Sequence, residues 1–154
     1  MTTSGTPALL TVTGPDRPGV TARVSSILAA HHADLVDVEQ VVINGHLTLG
    51  LLVRVDEDTE VVAVVRELTD SVHDLGMQLD VQFEDIAPAA PPSTHVLLLL
   101  GSPVTASAFS AVAGTLAAIG ANIDTIRGIA DYPVTGLELL VSTAGRDTAD
   151  DTRL

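Results

Sequence analysis

Hydrophobic and polar positions follow one another along the chain in two periods, and the order of those periods predicts the elements. Ala8 to Thr13 is a short apolar run that suits a strand. Gly14-Pro15-Asp16-Arg17-Pro18-Gly19 then interrupts it with breaker residues. Val20, Val24, Ile27 and Leu28 recur at three- and four-residue spacing, the stripe of an amphipathic helix. Asp34 to Ile43 returns to strand, Asn44-Gly45 is a strong hairpin turn, and Leu47, Leu49, Leu51 and Val53 alternate onto one face of a third strand. Asp58 or Thr59 is placed to cap a second helix with the stripe Val61, Val65, Leu68, Val72 and Leu75, and Gly76 stands at its C-terminal stop. Leu79, Val81 and Phe83 alternate as a fourth strand. The predicted order is βαββαβ, the split ferredoxin-like unit of the α+β class: an antiparallel sheet with helices on one face.

The pattern then restarts. Ala87 to Ser93 holds Pro88, Pro91 and Pro92 and reads as a stiff linker between a first unit, residues 1–86, and a second, residues 94–154. His95 to Leu100 is a strand, Gly101-Ser102-Pro103 a loop, and Phe109, Val112, Ala113, Leu116 and Ile119 a helical stripe closed by Gly120. Leu28-Ala29-Ala30 reappears 88 positions on as Leu116-Ala117-Ala118, Ala33-Asp34-Leu35 as Ala121-Asn122-Ile123, and Leu51-Leu52-Val53 as Leu139-Leu140-Val141. Gly14 matches Gly101, with one residue inserted after it in the second copy. The same offset carries the second helix past Leu154. The second unit is therefore expected to be truncated, Asp147 to Asp151 opening a helix that has no room to continue. The chain is expected to be a fragment of a longer protein, or one whose sheet a partner completes.

Composition narrows the function classes. Seven basic and twenty acidic side chains give a net charge of −13, and the only aromatics are Phe83, Phe109 and Tyr132. Such a chain repels phosphate backbones and anionic membrane surfaces and has no aromatic platform for bases, so no nucleic acid and no membrane is expected as partner. No cysteine occurs, which excludes disulfides, thiolate nucleophiles and cysteine-ligated metals. Met1 to Gly5 has neither the charged nor the apolar region of a signal peptide, and no apolar run approaches the ~20 residues of a membrane span, so a cytoplasmic location is expected.

The sharpest chemistry lies in the first loop. Pro18 lacks an N–H where a helix start leaves one unpaired, and Gly19 permits close approach to the backbone. The amides of Gly19, Val20 and Thr21 then face outward at a positive helix end, which suits a carboxylate. An amino acid also needs an acceptor for its ammonium group. Asp16 stands in the same loop, and the start of the next strand, Asp34 in the first unit and Asn122 in the second, is expected to lie close to it. A ligand is expected between one loop and the neighbouring unit's Asn122. The competing interpretation is a tight strand-to-helix turn with no ligand.

Gly-Pro-Asp-Arg-Pro-Gly-Val-Thr between a strand and a helix resembles the signature of ACT domains, regulatory modules that bind amino acids and pair their sheets side by side. The tandem arrangement is similar to the N-terminal half of actinobacterial phosphoserine phosphatases, through Val38-Glu39-Gln40-Val41-Val42, Leu47-Thr48-Leu49-Gly50, Ile126-Arg127-Gly128-Ile129 and Asp131 to Leu139. The resemblance implies an L-serine-responsive, dimerising regulatory module of serine biosynthesis. It also implies a following haloacid-dehalogenase-type phosphatase domain that uses Mg²⁺ and opens with Asp-x-Asp-x-Thr. That motif is absent here, so no catalytic residue and no cofactor is expected in this chain. The ligand residues it implies are Asp16, Gly19, Val20 and Thr21 in the first loop, Asn122 and Ile123 at the second-strand start, and Gly101 in the second loop. Ser102 to Ser107 departs from Asp-Arg-Pro-Gly, which makes one competent loop the expectation. The rivals are a stand-alone tandem ACT regulator acting through protein contact and the ACT region of a formyltetrahydrofolate deformylase. The deformylases usually carry one such unit, and the repeat argues against them.

Other candidate chemistry is weaker. His31 and His32 are adjacent at a helix end, so their side chains diverge and suit the helix C-terminus better than a metal. Asp56-Glu57-Asp58 lacks calcium-loop spacing, and Ser25-Ser26 has no histidine–carboxylate pair to activate it.

Overall fold

The computed structural model describes residues 5–143, other than 57 and 89. The chain divides into two compact units between Ala87 and Pro88.

The first unit runs β1 (Gly5–Pro15), α1 (Val20–Ala30), β2 (Asp34–Ile43), β3 (His46–Asp56), α2 (Val61–Asp74) and β4 (Gln78–Gln82). Its sheet order is β2-β3-β1-β4. β1 and β3 pair antiparallel from Gly5 opposite Asp56 to Pro15 opposite His46, and β4 lies antiparallel on the other side of β1. Alternation decides which face is covered. Ala8, Leu10 and Val12 on β1 and Leu47, Leu49, Leu51, Val53 and Val55 on β3 are all buried. They form one core with Val20, Val24, Ile27 and Leu28 of α1 and Val64, Leu68 and Val72 of α2. Both helices therefore lie on one face, as the βαββαβ pattern requires. His31 Nε2 meets Glu67 Oε2 at 2.6 Å, and Arg23 donates to Ser71 Oγ at 3.4 Å, which ties α1 to α2 along their exposed rims.

Three expectations shift. The α2 stripe turns on Val64 rather than Val65, which is only half-buried, because three-residue spacing from Val61 keeps the row over the sheet. The helix is entered at Glu60 without a side-chain cap, so neither Asp58 nor Thr59 serves. Phe83 falls just past β4 and is exposed.

The second unit runs β5 (His95–Gly101), α3 (Ala106–Ala118), β6 (Ala121–Ala130) and β7 (Thr135–Thr143), in sheet order β5-β7-β6. These are the counterparts of β1, α1, β2 and β3. Leu116, Leu139 and Val141 form the buried cluster, with Leu99, Phe109, Val112, Ile123 and Leu137 against it. Ile119, read as part of the α3 stripe, is instead exposed at the helix end. The turn expected at Asp147 to Asp151 lies outside the described residues.

Candidate functional site

An open cleft of about 450 Å³ lies where β1 hands over to α1, lined by Asp16 to Ala22, Gln40 and Leu47. Local sequence builds it. The Asp16 amide donates to the Gly45 carbonyl at 2.8 Å, so the loop is pinned to the β2–β3 hairpin. That hairpin turns through Asn44 at φ 48° and Gly45 at φ 74°, the left-handed pair that Asn-Gly supplies. Gly19 begins α1 at φ 93° and ψ −6°, a conformation that strains any other residue, and among the described residues no atom beyond its own chain neighbours lies within 4 Å of where its Cβ would be. Its carbonyl accepts the first helical bond, from Arg23 at 2.9 Å. Among the described residues no side chain caps α1, so the amides of its first turn keep their donors for the cleft.

Four of the residues singled out from sequence are thus brought together: Asp16, Gly19, Val20 and Thr21. Two further groups join them. Arg17 borders the cleft on the side of Gly76, whose Cβ would lie 4.0 Å from the guanidinium. Gln40 of β2 accepts a hydrogen bond at its Oε1 from the Thr21 hydroxyl at 2.7 Å. Neither the Asp16 carboxylate nor the Arg17 guanidinium has a hydrogen bond or ion pair among the described residues. One cleft therefore holds a free carboxylate, a free cation and an uncapped helix start.

The start of the second strand is not near the first loop, contrary to expectation. α1 runs back along β1, so β2 begins at the far end of the sheet. Asp34 stands opposite Arg54, level with Pro7, whereas Pro15 lies at the other end opposite His46. In the second unit Gly101 pairs with Thr135 and Asn122 with Ser142, the two ends of β7. At strand rise this separates them by roughly 23 Å. Gln40, six residues into β2, occupies the place that sequence assigned to the strand start. Its signal was faint: a lone amide between Val38 and Val42, on the side facing the helix.

The remaining three residues have structural duties. A Cβ on Gly101 would lie 2.7 Å from the Val104 nitrogen and 2.9 Å from the Pro103 carbonyl, so glycine is needed there for the loop's own turn. Thr105 caps α3, its hydroxyl accepting from the Ala108 amide at 3.1 Å, which uses a donor that α1 leaves open. The Ile123 side chain packs on the core of its unit. Asn122 donates to Asp124 Oδ1 at 2.7 Å; Ser142 donates to the same oxygen at 2.8 Å and Ser93 to Oδ2 at 2.7 Å. Those bonds, from Ser93 foremost, then Asn122 and Ser142, hold the Asp124 carboxyl below its ordinary range. The Ser93 bond also fastens the end of the linker to β6.

Among the described residues, no group of three or more His, Asp or Glu side chains is placed to hold a metal ion, and no helix is long and apolar enough to cross a membrane.

Comparison with known proteins gives two family matches, each described as an ACT domain, over residues 6–82 and 93–154. Phosphoserine phosphatase SerB2 of Mycobacterium tuberculosis is 51% identical over 136 residues, covering 87% of this chain and 33% of that protein. The phosphoserine phosphatase of Streptomyces coelicolor is 38% identical over 146 residues, covering 91% of this chain and 35% of that one. The chain thus spans about a third of the length of these relatives. A protein of unknown function from Galdieria sulphuraria superposes with a TM-score of 0.70 at 20% identity, over 90% of this chain and 82% of its own, a likeness of fold.

Proposed function

The chain belongs to the ACT-domain family, and on that premise we propose that it is a regulatory module that binds a small amino acid, L-serine first, and thereby controls a phosphoserine phosphatase in the cytoplasm. The observation that carries this is the cleft at the start of α1, with its unpaired carboxylate and cation and its uncapped amides.

A free amino acid is a zwitterion, and each of its charges has a counterpart. The ligand carboxylate accepts from the first-turn amides of α1, where the helix dipole adds a favourable field. The Arg17 guanidinium strengthens that end through charge-assisted hydrogen bonds. The ligand ammonium donates to the Asp16 carboxylate. Gly19 keeps the approach clear, since a side chain there would occupy the space the ligand needs. The second unit has Thr105 capping its helix and a crowded Gly101 loop, which supports one binding loop per chain.

The two long phosphoserine phosphatases among the relatives supply the parent activity and the choice of L-serine. Side-by-side pairing of sheets supplies an oligomer. β2 is an open edge on which Leu35, Val36, Val38, Val41, Val42 and Ile43 are all exposed.

Thermal unfolding tests the ligand. Millimolar L-serine is expected to raise the melting temperature, as any ligand of the native state must, by an amount that grows with concentration. Asp16→Asn is expected to abolish that rise and leave the ligand-free melting temperature unchanged. A melting curve that no small amino acid moves would remove the proposal.

A further inference from the structure

We propose that Thr21 and Gln40 act as a pair that reads a hydroxyl group on the ligand, which makes the cleft selective for a small β-hydroxy amino acid over the same skeleton without the hydroxyl. The inference rests on the amino-acid reading of the cleft and assigns its specificity.

The Thr21 hydroxyl donates to Gln40 Oε1 at 2.7 Å, and neither side chain has another hydrogen bond among the described residues. That bond leaves the Thr21 oxygen its lone pairs and the Gln40 nitrogen both its hydrogens. Turning the amide over exchanges the roles and keeps the sum: the Gln40 nitrogen donates to Thr21, and the Gln40 oxygen and the Thr21 hydrogen are left. In either state one donor and one acceptor stand side by side on the cleft wall. A hydroxyl is the smallest group that answers both, because it donates once and accepts as well.

Position agrees with chemistry. Thr21 lies on the same first turn of α1 whose amides face the ligand carboxylate. Only two carbon atoms separate a β-hydroxyl oxygen from its own carboxylate carbon, so a ligand seated on that turn brings its hydroxyl to Thr21. Gln40 reaches the pair from β2, where its pairing with Leu49 places it on the helix side of the sheet. Helix and strand hold the two groups, so their spacing is set before a ligand arrives. A methyl group in the same place would shed water from both polar groups and return no bond to either. The second unit lacks the pair: 88 positions on, Thr21 and Gln40 become Phe109 and Gly128.

Titration calorimetry of the 154-residue chain with L-serine, L-alanine and glycine tests this. The native chain is expected to bind L-serine about tenfold or more tightly than L-alanine, the worth of one to two net hydrogen bonds. Thr21→Val and Gln40→Ala are each expected to bring L-serine down to the L-alanine value, with L-alanine itself changed by no more than about twofold, since the lost bonds are ones L-alanine does not make. Thr21→Ser, which keeps the hydroxyl, is expected to retain the preference. Ligand-free melting temperatures report that each variant is folded. Equal affinity for L-serine and L-alanine in the native chain, or variants that weaken both ligands alike, would overturn the hydroxyl-reading pair while leaving the amino-acid site standing. Binding of neither would overturn both.

Discussion

Gly19 combines a backbone requirement with an open face. Its φ of 93° strains other residues on conformational grounds, while the space beyond its Cα is open to the cleft. Gly101, which matches Gly14 in the repeat, is needed for the opposite reason, crowding by Pro103 and Val104. Asp16, Gly19 and Thr21 were legible from sequence because a loop of consecutive residues necessarily stays together. Gln40 was not, because its nearness to Thr21 depends on which end of β2 faces the loop. The second-strand start lies at the far end of its own unit's sheet for the same reason, and the Asn122 amide donates to Asp124. That aspartate sets a pH dependence. Its folded-state pKa is depressed, so the stability it contributes is fully present above the ordinary aspartate value of about 3.9 and is lost as pH falls through the folded value. Between pH 6 and pH 3 the native chain is expected to lose more melting temperature than Asp124→Asn. Parallel curves for the two would show that the Ser93, Asn122 and Ser142 bonds contribute nothing to folding.

Elements were read well where one period ran uninterrupted. Leu47 to Val53 alternated without a break, and β3 buries all of them. α1 showed Val20, Val24, Ile27 and Leu28 plainly, and these are its buried residues. α2 was harder because Val61-Val62-Ala63-Val64-Val65 offers apolar residues around the whole first turn, and only packing against the sheet selects Val64. β2 is the element whose chemistry and burial disagree most: every residue is exposed although six are large and apolar. A second sheet edge laid against it would cover that row. Asp34, Asp37 and Glu39 already make the strand acidic, so Val41→Glu adds a repulsive charge at a pairing edge. Sedimentation is expected to show the native chain as a dimer or larger and Val41→Glu shifted toward monomer. A native chain that sediments strictly as a monomer would rule out side-by-side pairing.

At the scale of the molecule, the repeat announced itself through identities at one offset, and the two units share strand pairing and helix placement accordingly. Their equivalence ends at the loops. The first unit presents uncapped amides between Asp16 and Gln40; the second closes its helix with Thr105 and has Gly128 where an amide would be. A net charge of −13 would disfavour an anionic ligand, but a zwitterion carries no net charge and needs only local complementarity. The chain spans about a third of the length of the two phosphoserine phosphatases it resembles.

The most direct measurement is a titration of ¹⁵N-labelled chain with L-serine, followed by the backbone amide resonances. The predicted result is a saturable shift of Gly19, Val20 and Thr21, joined by the Gln40 side-chain amide, while the amides of Gly101 and Asn122 stay in place. Resonances that do not move at millimolar L-serine, or that move around Gly101 and Asn122 instead, would contradict the assignment of the binding cleft to the start of α1.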